Sequence, residues 1–221
     1  MKRKREMEKE SELKSGIEEL SLLIQLKSIH ETDDGAYLPT RPFLYLCNLL
    51  IQLLDKIGPT MAVLRQDIYQ NVQRLEMQCD SDPSLYSNLV EILKKEYTDG
   101  NARTGASSSK AFVWLTRSLD FTAALLQRLV MDPGEEMEQA VEDCYSITLK
   151  PWHGWISYAA FKIALKLIPD TKTLLNLLKP KDETCDELAQ DVETFLSLLA
   201  PILEENHSVI THYRLDKMKS T

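Results

Sequence analysis

The sequence predicts an all-α protein, and three observations carry that reading. Glycine is scarce, with seven in 221 residues, while Leu, Glu and Lys are plentiful; that balance favours helices over a turn-rich β fold. Apolar residues recur every three or four positions within long segments, and no alternating apolar-polar pattern competes with them. The segments are separated by clusters of Asp, Gly, Pro and Ser, which break helices and form turns.

Taken in order, residues 1–12 carry the run KRKR and then mixed charges. They read as a solvated tail, and the run also fits a nuclear localisation signal. Residues 13–221 are expected to form one domain. A helix over SGIEELSLLIQLKSI is amphipathic and ends before the loop HETDDGAYLPTRP. FLYLCNLLIQLLDKI follows Pro42 and stops at Gly58-Pro59. The next helix spans residues 60–79; beyond it Ser81 or Asp82 is expected to cap, and Pro83 to open, a helix that runs to about Tyr97. TDGNARTGASSSK is an exposed loop. A long helix from about Ser109 to Met131 is broken by DPGEE, and another runs to about Lys150. PWHGWISYAAFKIALKLI opens a further helix that ends at Pro169; TKTLLNLL is short; residues 185–210 are long, with Pro201 as a candidate kink. The total is about eight helices.

Composition narrows the function classes. A net charge of −8 argues against nucleic acid as the main partner and makes any attraction to anionic membranes local. Cys47, Cys79, Cys144 and Cys185 show no zinc or redox spacing. The charged start lacks an apolar signal core, and no long uncharged apolar stretch is present. A cytosolic protein with reduced thiols is expected. No nucleophile motif, phosphate loop or paired-His metal spacing occurs, so neither an enzyme nor a cofactor is expected. His30, His153, His207 and His212 are scattered, and the last two are expected to be solvated near a helix end.

One short stretch departs from the ordinary pattern. In LRQDIYQNVQRLEM, Asp67, Asn71 and Arg74 stand at i, i+4 and i+7. On a helix they fall within an arc of about 60°. Met61, Leu64, Ile68, Val72 and Leu75 lie beside that arc, so the polar trio borders the apolar face. Such a border can reach a pocket with an apolar floor; equally, it can be a solvated edge with a weak Asp–Arg attraction.

Two further stretches hold aromatic residues of similar double character. In VWLTRSLDF, Trp114 and Phe121 are seven apart and share a face. An indole there is either core or a flat face for a sugar ring, whose slightly positive C–H groups complement the π cloud. In LKPWHGWISYAAF, His153 sits between two Trp residues. Its ring can be structural or can hydrogen-bond an amide oxygen, and paired indoles at a helix start also suit a membrane interface.

DIYQNVQR, WLTRSLDF and WHGW stand in the order and approximate spacing found in the glycolipid transfer proteins. The resemblance covers nearly all of the chain after the first dozen residues and is closest in wording to plant members. It implies an all-α two-layer sandwich of about eight helices. It implies a headgroup site of Asp67, Asn71, Arg74, Trp114 and His153. There Trp114 stacks on the first sugar, Asp67 and Asn71 bond its hydroxyls, and Asp67 and His153 hold the ceramide amide. Arg74 occupies the position of a lysine in animal relatives. The lipid-chain tunnel maps to Leu53, Leu54, Met61, Leu64, Phe121, Leu149, Phe161 and Phe195, and Trp155 matches the family's membrane-contact tryptophan. A C-terminal tyrosine of animal members is missing from LDKMKST, which leaves the closure of that end over the site without its usual group. The resemblance thus implies a monomeric, cytosolic carrier of glycosphingolipids, glucosylceramide-like, touching membranes transiently. Its rivals are a ceramide-1-phosphate carrier, a subfamily that places cations for the phosphate where this chain has Asn71 and Trp114 and that Arg74 and Arg117 keep open, and a helical scaffold that senses lipid without moving it.

Overall fold

The structure, a computed structural model, describes residues 11–30, 36–180 and 183–220. The KRKR run and most of the expected tail lie outside the described residues, as does part of the loop after the first helix. Among the described residues there are nine α-helices and no strand: α1 (Glu12–His30), α2 (Thr40–Ile57), α3 (Ala62–Ser81), α4 (Leu89–Thr98), α5 (Ser108–Met131), α6 (Met137–Thr148), α7 (Trp155–Leu165), α8 (Thr171–Leu178) and α9 (Cys185–His212). A 3-10 turn, Pro59–Met61, joins α2 to α3.

Five long helices close a ring in which α1 packs on α2, α2 on α3, α3 on α5, α5 on α9, and α9 back on α1. The ring interior holds the core, including Leu20, Leu46, Leu75, Leu119 and Leu199, each essentially inaccessible to solvent. Phe43 of α2 meets Phe112 of α5 across it, ring centroids 5.5 Å apart. At the α1–α9 seam Gly16 is required by close approach, since a Cβ there would lie 2.8 Å from the Phe195 ring. Helices α4 and α6 flank α5, α8 flanks α2, and α7 leans on α6.

Local chemistry explains most boundaries. Pro42 lies in the first turn of α2, where a missing N–H costs nothing. Thr184 and Glu187 form a reciprocal capping box at the start of α9. Asp170 caps α8 by accepting from the Thr173 amide at 2.8 Å. The start of α4 differs from expectation. Pro83 does not open a helix, because Asp82 Oδ1 takes the Leu85 amide and the Ser84 hydroxyl and holds a turn instead. The chain then runs extended beside residues 38–40, with Thr40 N–H donating to Ser87 O and Leu89 N–H to Leu38 O. Asn88, accepting from the Val90 amide at 3.1 Å, is the cap. Helix α7 also starts later than the sequence indicates, because residues 151–154 form a turn that leaves His153 ahead of the helix. Cys47, Cys79 and Cys144 are buried thiols, whereas Cys185, the first residue of α9, is exposed.

Candidate functional site

Helix α3 presents its buried stripe, Ile68, Asn71, Val72, Leu75 and Cys79, to the ring interior. Asn71 belongs to that stripe rather than to its border. Its Nδ2 donates to the Asp67 carbonyl at 3.0 Å, so the buried carboxamide keeps its oxygen uncommitted to the helix. Asp67 is reached by solvent, yet the surrounding protein displaces enough water to hold its carboxyl above the usual carboxylate range. Arg74 and Lys110 draw it part of the way back. Arg74 is half-buried one turn beyond Asn71.

Lys110 was not distinguishable by sequence. It lies four residues before Trp114 on α5, but nothing local to α5 indicates that α3 brings Asp67 within its field. The α3–α5 packing does that.

The second half of the site hangs on α5 and the turn before α7. Trp114 is half-buried, and its ring lies 5.3 Å from the His153 ring at 37°. Tyr145 Oη stands 3.1 Å from His153 Nδ1. Burial, and secondarily the charge of Arg117, holds His153 below its ordinary 6.5, so the imidazole is neutral at pH 7. Burial also keeps the Tyr145 phenol protonated by raising its pKa. In the tautomer in which that phenol donates to Nδ1, the imidazole proton is carried on Nε2, which is then the ring's donor. Tyr145 is in turn fixed by a parallel stack on Phe161, centroids 3.5 Å apart.

Arg117 is placed differently from its reading as an anion donor. It is 4% exposed and its guanidinium donates to Met218 O at 2.7 Å and Asp216 O at 2.9 Å. It also lies over two indoles, 5.0 Å from the Trp114 centroid and 4.1 Å from that of Trp152. Burial pushes its pKa down to about 10, against the opposing pull of Asp120 and Asp216, so it stays charged at neutral pH.

The two tryptophans around His153 therefore diverge. Trp152 covers Arg117, while Trp155 is 79% exposed. Beside them an open cleft of about 330 Å³ is lined by Tyr145, Lys150, His153, Gly154, Trp155 and Tyr158. The expected tunnel residues divide three ways. Leu53, Leu54, Phe121 and Phe161 are half-buried against the core. Met61 and Phe195 are buried, and Leu149 is half-buried at the end of α6. Leu64 is 42% exposed and is not enclosed. His207 is not merely solvated: its Nε2 lies 3.0 Å from Asp120 of α5, and that contact raises its pKa. Among the described residues no group of His, Cys, Asp and Glu is placed to hold a metal ion, and no helix is long and apolar enough to cross a membrane.

A closed ring of helices, with a polar cluster on its wall and an uncovered apolar helix beside it, defines an all-α class of protein. The chain belongs to the glycolipid transfer protein family, whose model, Glycolipid transfer protein (GLTP), matches residues 38–180. Members of this family are lipid transfer proteins, not enzymes. Glycolipid transfer protein 3 of Arabidopsis thaliana is 54% identical over 100% of both chains. Among solved structures, FAPP2, which selects simple glycosphingolipids using the GLTP fold, matches with TM-score 0.77 at 23% identity, over 86% of this chain and 93% of that one. A variant of Arabidopsis ACD11 complexed with C12 ceramide-1-phosphate matches with TM-score 0.80 at 18% identity, over 93% and 98%. These two likenesses carry the all-α fold.

Proposed function

We infer that this chain carries glycosphingolipids, glucosylceramide-like, between membranes through the cytosol as a monomer, with residues 13–221 acting as one unit. The observation that supports this most is the pairing of Trp114 with a neutral His153 5.3 Å away. An indole face suits the C–H face of a sugar, and the Nε2–H of a neutral imidazole suits the amide oxygen of ceramide. Asp67 accepts from a sugar hydroxyl and the amide N–H at once, because an ionised carboxylate has several lone-pair sites. Asn71 offers its uncommitted oxygen to a neighbouring hydroxyl, and the charge of Arg74 favours the ionised form of Asp67 against the upward push of burial. The lipid chains run between α2, α5 and α7, along Leu53, Leu54, Phe121 and Phe161. Trp155 and its neighbours on α7 rest on the membrane during uptake and release.

The energetics favour selection by headgroup. Burying a chain CH₂ is worth about 0.8 kcal/mol relative to water. Relative to a bilayer it gains little, since the lipid already sits in hydrocarbon. The tunnel shields the chains in transit, and discrimination comes from polar groups that are costly to leave unpaired. No bond is made or broken.

A ceramide-1-phosphate cargo is the second reading, favoured by Arg74 and Lys110 near Asp67. Against it, Trp114 offers no charge to a phosphate, and two guanidinium nitrogens of Arg117 are already engaged by backbone carbonyls. The test is vesicle-to-vesicle transfer of fluorescent glucosylceramide, galactosylceramide, lactosylceramide and ceramide-1-phosphate. Glucosylceramide is expected to move fastest, and Asp67→Val and Trp114→Ala are each expected to remove most of that transfer with helix content unchanged. Equal transfer of ceramide-1-phosphate, or normal glucosylceramide transfer by either folded variant, overturns the reading.

A further inference from the structure

The segment after α9 lies across the turn that carries His153 and ends against α7. It is held at three points. Arg117 donates to the carbonyls of Asp216 and Met218 at 2.9 and 2.7 Å. The Ser220 amide donates to Trp152 O at 2.9 Å. The Ser220 hydroxyl oxygen accepts from the Gly154 amide at 2.9 Å and from the Ser157 hydroxyl at 2.9 Å. The bonds at Ser220 bracket His153 in sequence: one falls on the residue before it and one on the residue after.

Gly154 is the N-cap of α7 and has no side chain, so α7 makes no side-chain cap of its own. Every helix leaves its first N–H groups without intrahelical partners. Here the partner at the cap comes from residue 220, which is 66 residues away in sequence. The Trp152 ring closes the other side by lying 4.1 Å over the Arg117 guanidinium. A lysine could not replace this arrangement, since a single ammonium lacks the planar fork that meets two carbonyls while stacking between indoles.

We propose that Arg117 and Ser220 are positioning residues: together they clamp residues 216–220 as a strap that fixes His153 against Trp114 and caps α7. Arg117 thereby acts on the headgroup site through His153 and on the uncovered helix through Gly154, and does not itself contact lipid. The consequence for transfer rests on the carrier reading above; the clamp itself does not.

Two readouts separate these. The first is hydrogen exchange of the amides of residues 152–158 in lipid-free protein. Ser220→Ala is expected to speed exchange there about tenfold while the melting temperature stays within about a degree, and Ser220→Thr, which keeps the hydroxyl, restores protection. Arg117→Lys is expected to deprotect the same residues; because Arg117 is buried and its variants are open to misfolding, the Ser220 pair carries the test independently. The second readout is glucosylceramide transfer, expected to fall severalfold in Ser220→Ala and recover in Ser220→Thr. Wild-type exchange in Ser220→Ala overturns the clamp. Lost protection with unchanged transfer, in a preparation whose wild type transfers glucosylceramide, overturns its role in positioning the site. A wild type that transfers none of the glycolipids fails the carrier reading instead, while the exchange result still decides the clamp.

Discussion

Helices α5 and α7 are both rich in apolar residues, and the fold treats them in opposite ways. Helix α5 buries 11 of its 24 residues and packs on α3, α4, α6 and α9. Helix α7 has the sequence WISYAAFKIAL and buries only Leu165. Phe161 turns inward onto Tyr145, while Trp155, Ile156, Tyr158 and Ile163 face solvent. Apolar composition therefore does not decide burial by itself. What decides it is whether neighbouring helices cover the face, and α7 has only α6 beside it in any extent. A contiguous exposed apolar surface of this kind marks an interaction site, which is why α7 is read as the membrane-facing element.

The sharpest way to break the comparison is to truncate one large residue in each helix. Phe112→Ala in α5 removes a fully buried ring packed on Phe43. It is expected to cost about 3–5 kcal/mol, seen as a large drop in the denaturation midpoint. Trp155→Ala in α7 is expected to leave the midpoint unchanged. Its effect should appear in vesicle co-sedimentation, as about tenfold weaker binding, or about 1.4 kcal/mol, with lipid preference unaltered. A destabilised Trp155→Ala would mean that α7 belongs to the core after all.

The caps offer a smaller contrast. Ser107 caps α5 from the adjacent residue, accepting from the Lys110 amide at 3.0 Å and donating to Ala102 O at 2.7 Å. Ser107→Ala is expected to cost about 1 kcal/mol of global stability, measured by denaturant unfolding. The equivalent group for α7 comes from Ser220, and its loss is expected to be felt only locally.

The smallest effect is in pH dependence, where two histidines act with opposite signs. His207, bonded to Asp120 of α5, has a pKa raised above 6.5. Its contribution is complete below 6.5 and is lost as pH rises through the folded value. His153, in the turn before α7, has a pKa lowered by burial. Stability is lost there as pH falls through 6.5 toward the folded value. Thermal unfolding from pH 8 to 5 should therefore show that His207→Gln removes stabilisation that is present below pH 6.5 and absent at pH values above the folded pKa, and that His153→Gln removes a loss that sets in as pH falls below 6.5. The His207 pair is half-exposed, so its effect is on the order of a few tenths of a kcal/mol. A pH profile that moves the other way in either variant would contradict the environment assigned to that ring.

Much of this was legible locally. The helical stretches follow from apolar periodicity, and the common face of Asp67, Asn71 and Arg74 follows from helix geometry alone. Misreadings arose where a partner came from far along the chain. Pro83 looked like a helix opener, but the backbone near residue 88 pairs with residues 38–40. His207 is exposed, as expected near that helix end, and what the sequence does not indicate is that Asp120 lies opposite it. Arg117 looked like a phosphate donor, but the carbonyls of residues 216 and 218 occupy it.

The sequence by itself determined the all-α class, the positions of most helices, the polar trio and the family resemblance. These depend on spacing along one helix or on short contiguous motifs, and both are properties of neighbouring residues. Only the tertiary structure decided that Lys110 shares the field of Asp67, that Trp152 and Trp155 face different surroundings, and that α7 is capped by a residue 66 positions away. The reason is physical. Burial, pKa and hydrogen-bond satisfaction depend on what lies across a gap of a few ångströms, and periodicity within a segment says nothing of which distant segment fills it.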